Sequence, residues 1–329
     1  MVHASIIVPA YNAERFVATA VASALAQTEQ RIEVLVVDDA STDGTAEAVC
    51  RAAADDSRVR ILKLNINSGP AAARNLAISQ ASGEWIALLD ADDSFAAHRI
   101  ETLTGLGEAR NADVVSDNLL LCSEAEDVPP EPMLSAPASA GPWHMSAAGF
   151  VAGNIGRRRQ PRRSYGFMQP VFHREFLMRH GLRYGDQNRF GEGFLFCLAC
   201  LLAGASWWVT PEPMYHYVVR SGSLTEIQRS ADLDRIRMTE ARLLQTDPSV
   251  AADSQLADAL RRHKAVIDRC YYYRAFTDAI KSGHCAAAMG LLFENPDSFA
   301  HILRESAAQA PIIMGKAFRG GYRGAPRAG

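Results

Sequence analysis

Five short apolar runs fill the first 120 residues, and helical spacing follows the first four of them. No other feature constrains the fold as strongly. The runs lie at residues 5–8, 32–37, 59–64, 85–89 and 113–116 and read as buried strands. Helical patterns follow at residues 14–27, with Asn12 as the cap, and at 45–54, 71–81 and about 97–109; Gly83 is a stop signal for the third. Strands that alternate with helices at this spacing predict an α/β fold, a mostly parallel sheet flanked by helices. Ligands of such sheets bind beyond the carboxyl ends of the strands. Chemistry is therefore sought in Pro9-Ala10-Tyr11-Asn12, Asp38-Asp39-Ala40-Ser41, residues 65–74 and Asp90-Ala91-Asp92-Asp93.

Beyond this region the pattern loosens. Residues 127–142 are rich in Pro, Ala and Ser and read as a linker. A dense basic run, residues 157–163, admits three readings: a solvated loop, a contact with anionic lipid, or part of an acceptor groove. Trp207-Trp208 reads as a core strand. Residues 226–310 return to helical spacing, a helical C-terminal extension, and 311–329 carry the Gly, Pro and Arg of a disordered tail.

Composition excludes several classes. A net charge of −3 leaves no general basic surface for nucleic acid. The six cysteines are scattered through a chain too long to need staples, which favours a reducing cytosol. Cys197 and Cys200 sit inside an apolar run without a second pair at zinc spacing, so they read as buried helical thiols. Pro9 breaks the first apolar run and no basic segment precedes it, so no leader is expected. No run approaches the ~20 apolar residues of a spanning helix, so membrane contact is expected to be peripheral.

Asp90, Asp92 and Asp93 follow a strongly apolar strand. Carboxylates at i and i+2 past a strand end can converge on one hard cation, Mn²⁺ or Mg²⁺, which also takes phosphate and water oxygens. The competing explanation is a helix N-terminus, which also favours acids. Asp39, in Asp38-Asp39-Ala40-Ser41-Thr42-Asp43-Gly44-Thr45, can accept from the imide N–H of uracil, or it is part of a polar turn. In Asn67-Ser68-Gly69-Pro70-Ala71-Ala72-Ala73-Arg74-Asn75, Gly69 permits an unusual turn and Pro70 suits a first helical position. Arg74, a turn further on, can pair with an acid or reach a phosphate.

These four loops occur in order, and together with Ser5-Ile6-Ile7-Val8 and Leu89-Asp90-Ala91-Asp92-Asp93 the sequence resembles the family 2 glycosyltransferases of GT-A, Rossmann-like fold. The likeness is close over about the first 120 residues and looser to about 225. Asp117-Asn118-Leu119-Leu120-Leu121 and Tyr165-Gly166-Phe167-Met168-Gln169-Pro170-Val171-Phe172 point to the bacterial exopolysaccharide, succinoglycan-type, branch. The resemblance implies a transferase domain over 1–225, with a nucleotide-binding half at 1–120 and an acceptor half at 143–225. It implies a UDP-sugar donor, UDP-glucose first, and inverting transfer to a lipid-linked oligosaccharide at the cytoplasmic face of the membrane. It implies that Pro9, Tyr11 and Asp39 hold the base, that Asn67 and Arg74 support the nucleoside, that Asp90 lies near the ribose, and that Asp92, with Asp90, meets the metal. His216 and Arg220 look like the segment that closes on the diphosphate.

The general base is where the chain departs from its family. The usual Glu-Asp at a helix start is here Glu192-Gly193. Glu192 is the candidate base, Asp186 a second, and loss of catalysis the third possibility. Two rivals stay open: a catalytically silent sugar-nucleotide-binding or scaffold protein, and a nucleotidyltransferase, although the latter would carry a Gly-rich loop after the first strand. Homo-oligomerisation also stays open.

Overall fold

The structure, a computed structural model, describes residues 1–124, 128–135, 141–155, 164–185, 191–220, 229–294 and 300. Strand β1 (Ala4–Ala10) is apolar at nearly every position because it is buried on both faces. Strand β2 (Ile32–Asp38) pairs with one edge and β4 (Trp85–Leu88) with the other, both in parallel. Strand β3 (Val59–Lys63) extends the sheet beyond β2, again in parallel. Helices α1 (Val17–Leu25), α2 (Thr45–Ala53) and α3 (Pro70–Gln80) connect these strands. This half of the molecule is the parallel sheet that the apolar runs predict.

The other half is mixed. Strand β9 (Val171–His173) lies antiparallel between β4 and β6 (Val114–Ser123). Strand β10 (Trp207–Val219) runs parallel to β6, and its outer edge takes β5 (Ser94–Phe95). Two-residue strands β7 (Glu131–Pro132) and β8 (Trp143–His144) pair with β6 and β10. The main order is β3-β2-β1-β4-β9-β6-β10-β5. Helices α4 (Arg99–Arg110), α5 (Ala147–Gly153), α6 (Arg174–Arg179) and α7 (Glu192–Leu202) complete this part. Its core is built on Trp85, Trp207, Phe150 and Phe172, all essentially without solvent contact. Burying a large apolar side chain contributes roughly 1.5–3 kcal/mol each.

Local expectations change in three places. Helix α1 starts at Val17, and its N-terminus has no side-chain cap. Asn12 instead takes a left-handed turn at φ 48° and its Oδ1 accepts from the Thr42 N–H at 2.8 Å, so it ties the loop after β1 to the loop after β2. Strand β6 is longer than its apolar run because its polar middle is satisfied: Asp117 is paired with Arg99, and Asn118 exchanges two hydrogen bonds with the Leu134 backbone. Residues 131 and 132, inside the expected linker, are a strand. Cys197 and Cys200 are buried free thiols in α7, and burial pushes the Cys200 thiol up to about 12, which makes it unreactive.

Helices α8 (Ser230–Thr246), α9 (Pro248–Ala252), α10 (Ser254–Lys281) and α11 (Cys285–Glu294) follow. Two compact units divide the chain: Met1–Ile227 with Leu243–His263, and Gln228–Arg242 with Lys264–Gly329. Among the described residues no helix is long and apolar enough to cross a membrane.

Candidate active site

The carboxyl ends of β1 to β4 open onto four adjoining loops, all in the first unit. Strand β1 can carry Pro9 because its ladder with β4 stops at the Ile7–Leu88 pair, so no N–H is missed there. Tyr11 follows with 49% of its surface exposed, an aromatic face left open. Ala40, after β2, sits at φ 58°, a left-handed conformation that costs a non-glycine residue about 1 kcal/mol. Its neighbour Asp39 is 3% exposed and fully engaged: Oδ1 accepts from the Ser68 N–H and Oδ2 from the Gly69 N–H, each at 2.7 Å. Asp39 therefore fixes the turn that launches α3, where Gly69 needs φ 88° and Pro70 opens the helix. Asn67 lies half-buried in the same loop.

Arg74 projects from α3 and is 6% exposed. One terminal nitrogen donates to Asp90 Oδ1 and the other to Glu192 Oε1, both at 2.9 Å, while the Tyr184 ring lies 5.4 Å from the guanidinium carbon. Burial opposes the charge, but Asp90 and Glu192 more than offset it and raise Arg74 above its ordinary value. Glu192 is the first residue of α7, delivered there by Gly191 at φ 74°. Thus the guanidinium bridges the loop after β4 and the start of a helix that lies 118 residues beyond Arg74 in sequence.

Three carboxylates stand within four residues after β4, and each has its own compensation. Asp90 takes Arg74 on Oδ1 and the Gln169 side-chain N–H on Oδ2, at 2.9 Å each. Asp92 pairs with Arg220, whose guanidinium carbon rests 3.8 Å from the centre of the Phe16 ring. Asp93 is buried and accepts from the Tyr215 hydroxyl and the Val218 N–H, both at 2.8 Å. Burial, with Asp90 nearby, pushes the Asp93 carboxyl well above the usual range. Asp93 therefore ties this turn to β10, and Asp92 is the half-exposed member.

This geometry tests the expectation of a divalent ion. Among the described residues no three His, Cys, Asp or Glu side chains converge to hold an ion by themselves. Asp90 has both oxygens occupied. Asp92 has a cationic partner in Arg220, so its position suits positive charge. A single half-exposed carboxylate whose present partner is a cation fits an ion that draws most of its ligands from a diphosphate and water, as Mg²⁺ commonly does.

Of the residues singled out in the sequence, Arg74, Asp90 and Glu192 form one cluster and Asp92 and Arg220 another. His216 joins neither; its Nδ1 faces the Ser94 Oγ at 3.4 Å, and burial lowers its pKa. Gly193 leaves open space, with a built Cβ 3.8 Å from the Gly166 carbonyl oxygen as its nearest contact. Asp186 and the basic run 157–163 lie outside the described residues. Gln169, Phe16 and Tyr215 were not expected here. In the sequence Gln169 stands out only as part of the Tyr165–Phe172 motif of the resemblance, and Pro170 after it marks the start of a short strand rather than a functional group.

The profile of Glycosyl transferase family 2 matches residues 5–185. Succinoglycan biosynthesis protein ExoU of Rhizobium meliloti (strain 1021) is 35% identical over 326 residues, covering 94% of this chain and 92% of that protein. ExoO of the same strain, also a succinoglycan biosynthesis protein, is 30% identical over 98% of this chain and 90% of its own length. Among solved structures, S. aureus TarS (residues 1–349) in complex with UDP-GlcNAc superposes with a TM-score of 0.67 at 20% identity, over 91% of this chain and 81% of that one. The mannosyltransferase PcManGT of Pyrobaculum calidifontis, in complex with GDP-Man and Mn²⁺, gives 0.53 at 18% identity, over 93% and 86%. At such identities the structural likeness speaks for the fold, which is GT-A-like.

Proposed function

The chain belongs to glycosyl transferase family 2, and from that premise we propose that it moves a hexose from UDP-glucose onto a lipid-linked oligosaccharide in exopolysaccharide biosynthesis, with inversion at the anomeric carbon. Transfer takes place at the cytoplasmic face of the membrane, with residues 1–120 holding the donor and 143–225 the acceptor. The naming of ExoU and ExoO for succinoglycan biosynthesis supports the pathway class. The UDP-GlcNAc in TarS supports a nucleotide-diphosphate donor.

One observation carries the chemistry: Arg74 grips Asp90 with one nitrogen and Glu192 with the other. A donor-side carboxylate and a carboxylate able to take a proton are thereby held on one rigid fork. In the proposed step the acceptor hydroxyl attacks the anomeric carbon, its proton passes to Glu192, and the bond to the diphosphate oxygen breaks as UDP leaves. Arg74 keeps Glu192 oriented. Tyr11 stacks on the uracil, Asp39 and Pro9 shape its pocket, and Asn67 supports the nucleoside. Arg220 leaves Asp92 for the phosphates, with His216 beside it. Mn²⁺ or Mg²⁺ at Asp92, next to Asp90, would neutralise the charge that grows on the departing diphosphate.

Incubation with UDP-glucose and Mn²⁺ tests this. UDP release is expected, to fall about a hundredfold or more in Glu192→Gln and to be lost in Asp92→Ala with the melting temperature kept. Unchanged turnover in Asp92→Ala would sink the assignment. A second possibility is a sugar-nucleotide-binding protein without turnover. It is favoured by the ion pair that already engages Glu192 and by the missing side chain at Gly193; donor binding without UDP release, even with acceptor, would identify it. Nucleotidyl transfer gains no support from the family.

A further inference from the structure

Asp90 is the only carboxylate after β4 whose two oxygens are claimed by two different side chains, one charged and one neutral, among the described residues. The neutral one is Gln169, and its placement is built in three layers. Strand β9 pairs antiparallel with β4, with Val171 opposite Ala87. Continuing that register sets Gln169 beside Leu89, one residue before Asp90. Pro170 has no N–H, which ends the ladder and frees the chain to turn there.

The turn is then anchored from below. The Gln169 carbonyl oxygen accepts from an Arg99 terminal nitrogen at 2.6 Å. Arg99 is itself fixed: it has no solvent exposure, donates three times to Asp117, and lies over the Phe95 and Tyr215 rings at 4.4 and 5.1 Å. Asp117 is equally buried and also accepts from the Met214 N–H. A side chain hung on such an anchor has little freedom left. From it the Gln169 amide reaches Asp90 Oδ2 at 2.9 Å.

We propose that Gln169 is a positioning residue for the donor: it transmits the rigidity of the buried Arg99–Asp117 pair to the Asp90 carboxylate. The inference rests on the donor site proposed above and adds a residue to it. A neutral amide suits the task. It satisfies Oδ2 without cancelling the charge that Arg74 shares with Asp90 and Glu192, whereas a Lys would add a charge and a Glu would repel. Without Gln169 the carboxylate rotates about Arg74 and the donor must order it on arrival, which appears as weaker binding.

A double-variant cycle with UDP-glucose and Mn²⁺, read by calorimetry, tests this. Gln169→Met keeps the length of the side chain and removes the donor. Asp90→Asn keeps an acceptor for Arg74 but turns an N–H₂ towards the N–H₂ of Gln169. Gln169→Met is expected to weaken donor binding about tenfold in the native background, and at least threefold less than that in Asp90→Asn, with melting temperatures unchanged. Gln169→Glu, the second variant should Met disturb folding, is expected to lose more affinity than Met does. Equal losses in both backgrounds, or no loss in the native one, overturn the role of Gln169 and leave the donor site standing. No binding by the wild-type chain overturns the donor site, and this inference with it.

Discussion

A Cβ built on Gly193 meets nothing nearer than the Gly166 carbonyl oxygen, at 3.8 Å. Gly193 is the second residue of α7, where the helix N-terminus favours an anion and glycine is a poor helix former. Gly193→Asp should therefore fold at least as stably as the parent. If Glu192 is a compromised base, held at 2.9 Å by Arg74, the new carboxylate should raise kcat about tenfold or more. UDP release at saturating donor measures it. No gain would mean that Glu192 already does what a base can do in this site. At this scale the sequence shows which residue types stand after which strand. It does not show that Asp39 spends both oxygens on the Ser68 and Gly69 N–H groups, because a backbone partner leaves no mark on composition.

Elements differ in how openly the sequence declares them. Strands β1, β2 and β4 are covered on both faces, so each is built mostly of apolar residues and stands out. Strands β5, β7, β8 and β9 are two or three residues long and exist because longer neighbours offer them an edge. Helix α4 packs by a contact that no periodicity reveals: a Cβ on Gly107 would overlap the buried Trp85 ring, with Cζ2 at 2.7 Å. Gly107→Ala should cost about 1–3 kcal/mol, read as a lower denaturant midpoint. The turn after α1 adds a pH effect. Glu29 accepts from Arg31 and contacts His3, and the Arg31 hydrogen bonds lower its pKa from 4.5 to about 2. A depressed carboxylate gives stability that is complete above its unfolded value and is lost as pH falls towards its folded one. The gap in melting temperature between the wild-type chain and Glu29→Gln should therefore stay constant above about pH 5 and close by about pH 2.

For the molecule as a whole, the proposed ion has no structural duty. The acids after β4 are already balanced by Arg74, Gln169, Arg220 and Tyr215. Chelation should leave the melting temperature of the free protein unchanged, unlike that of a protein whose fold is nucleated by metal. UDP with Mn²⁺ should raise it by mass action, by about 2.7 kcal/mol of stability at a hundredfold excess over Kd, and chelator should reverse that gain. A drop on chelation without nucleotide would show an ion built into the fold. By itself the sequence determined the parallel half of the sheet and the four loops at its edge, because burial on two faces writes a local, repeating signature. Only the tertiary structure decided that Arg74 stands between Asp90 and Glu192, that Asp92 meets Arg220, and that Gln169 is braced by Arg99. Such pairs join residues as much as 128 positions apart, and their meeting depends on strand order and register, which no local pattern encodes.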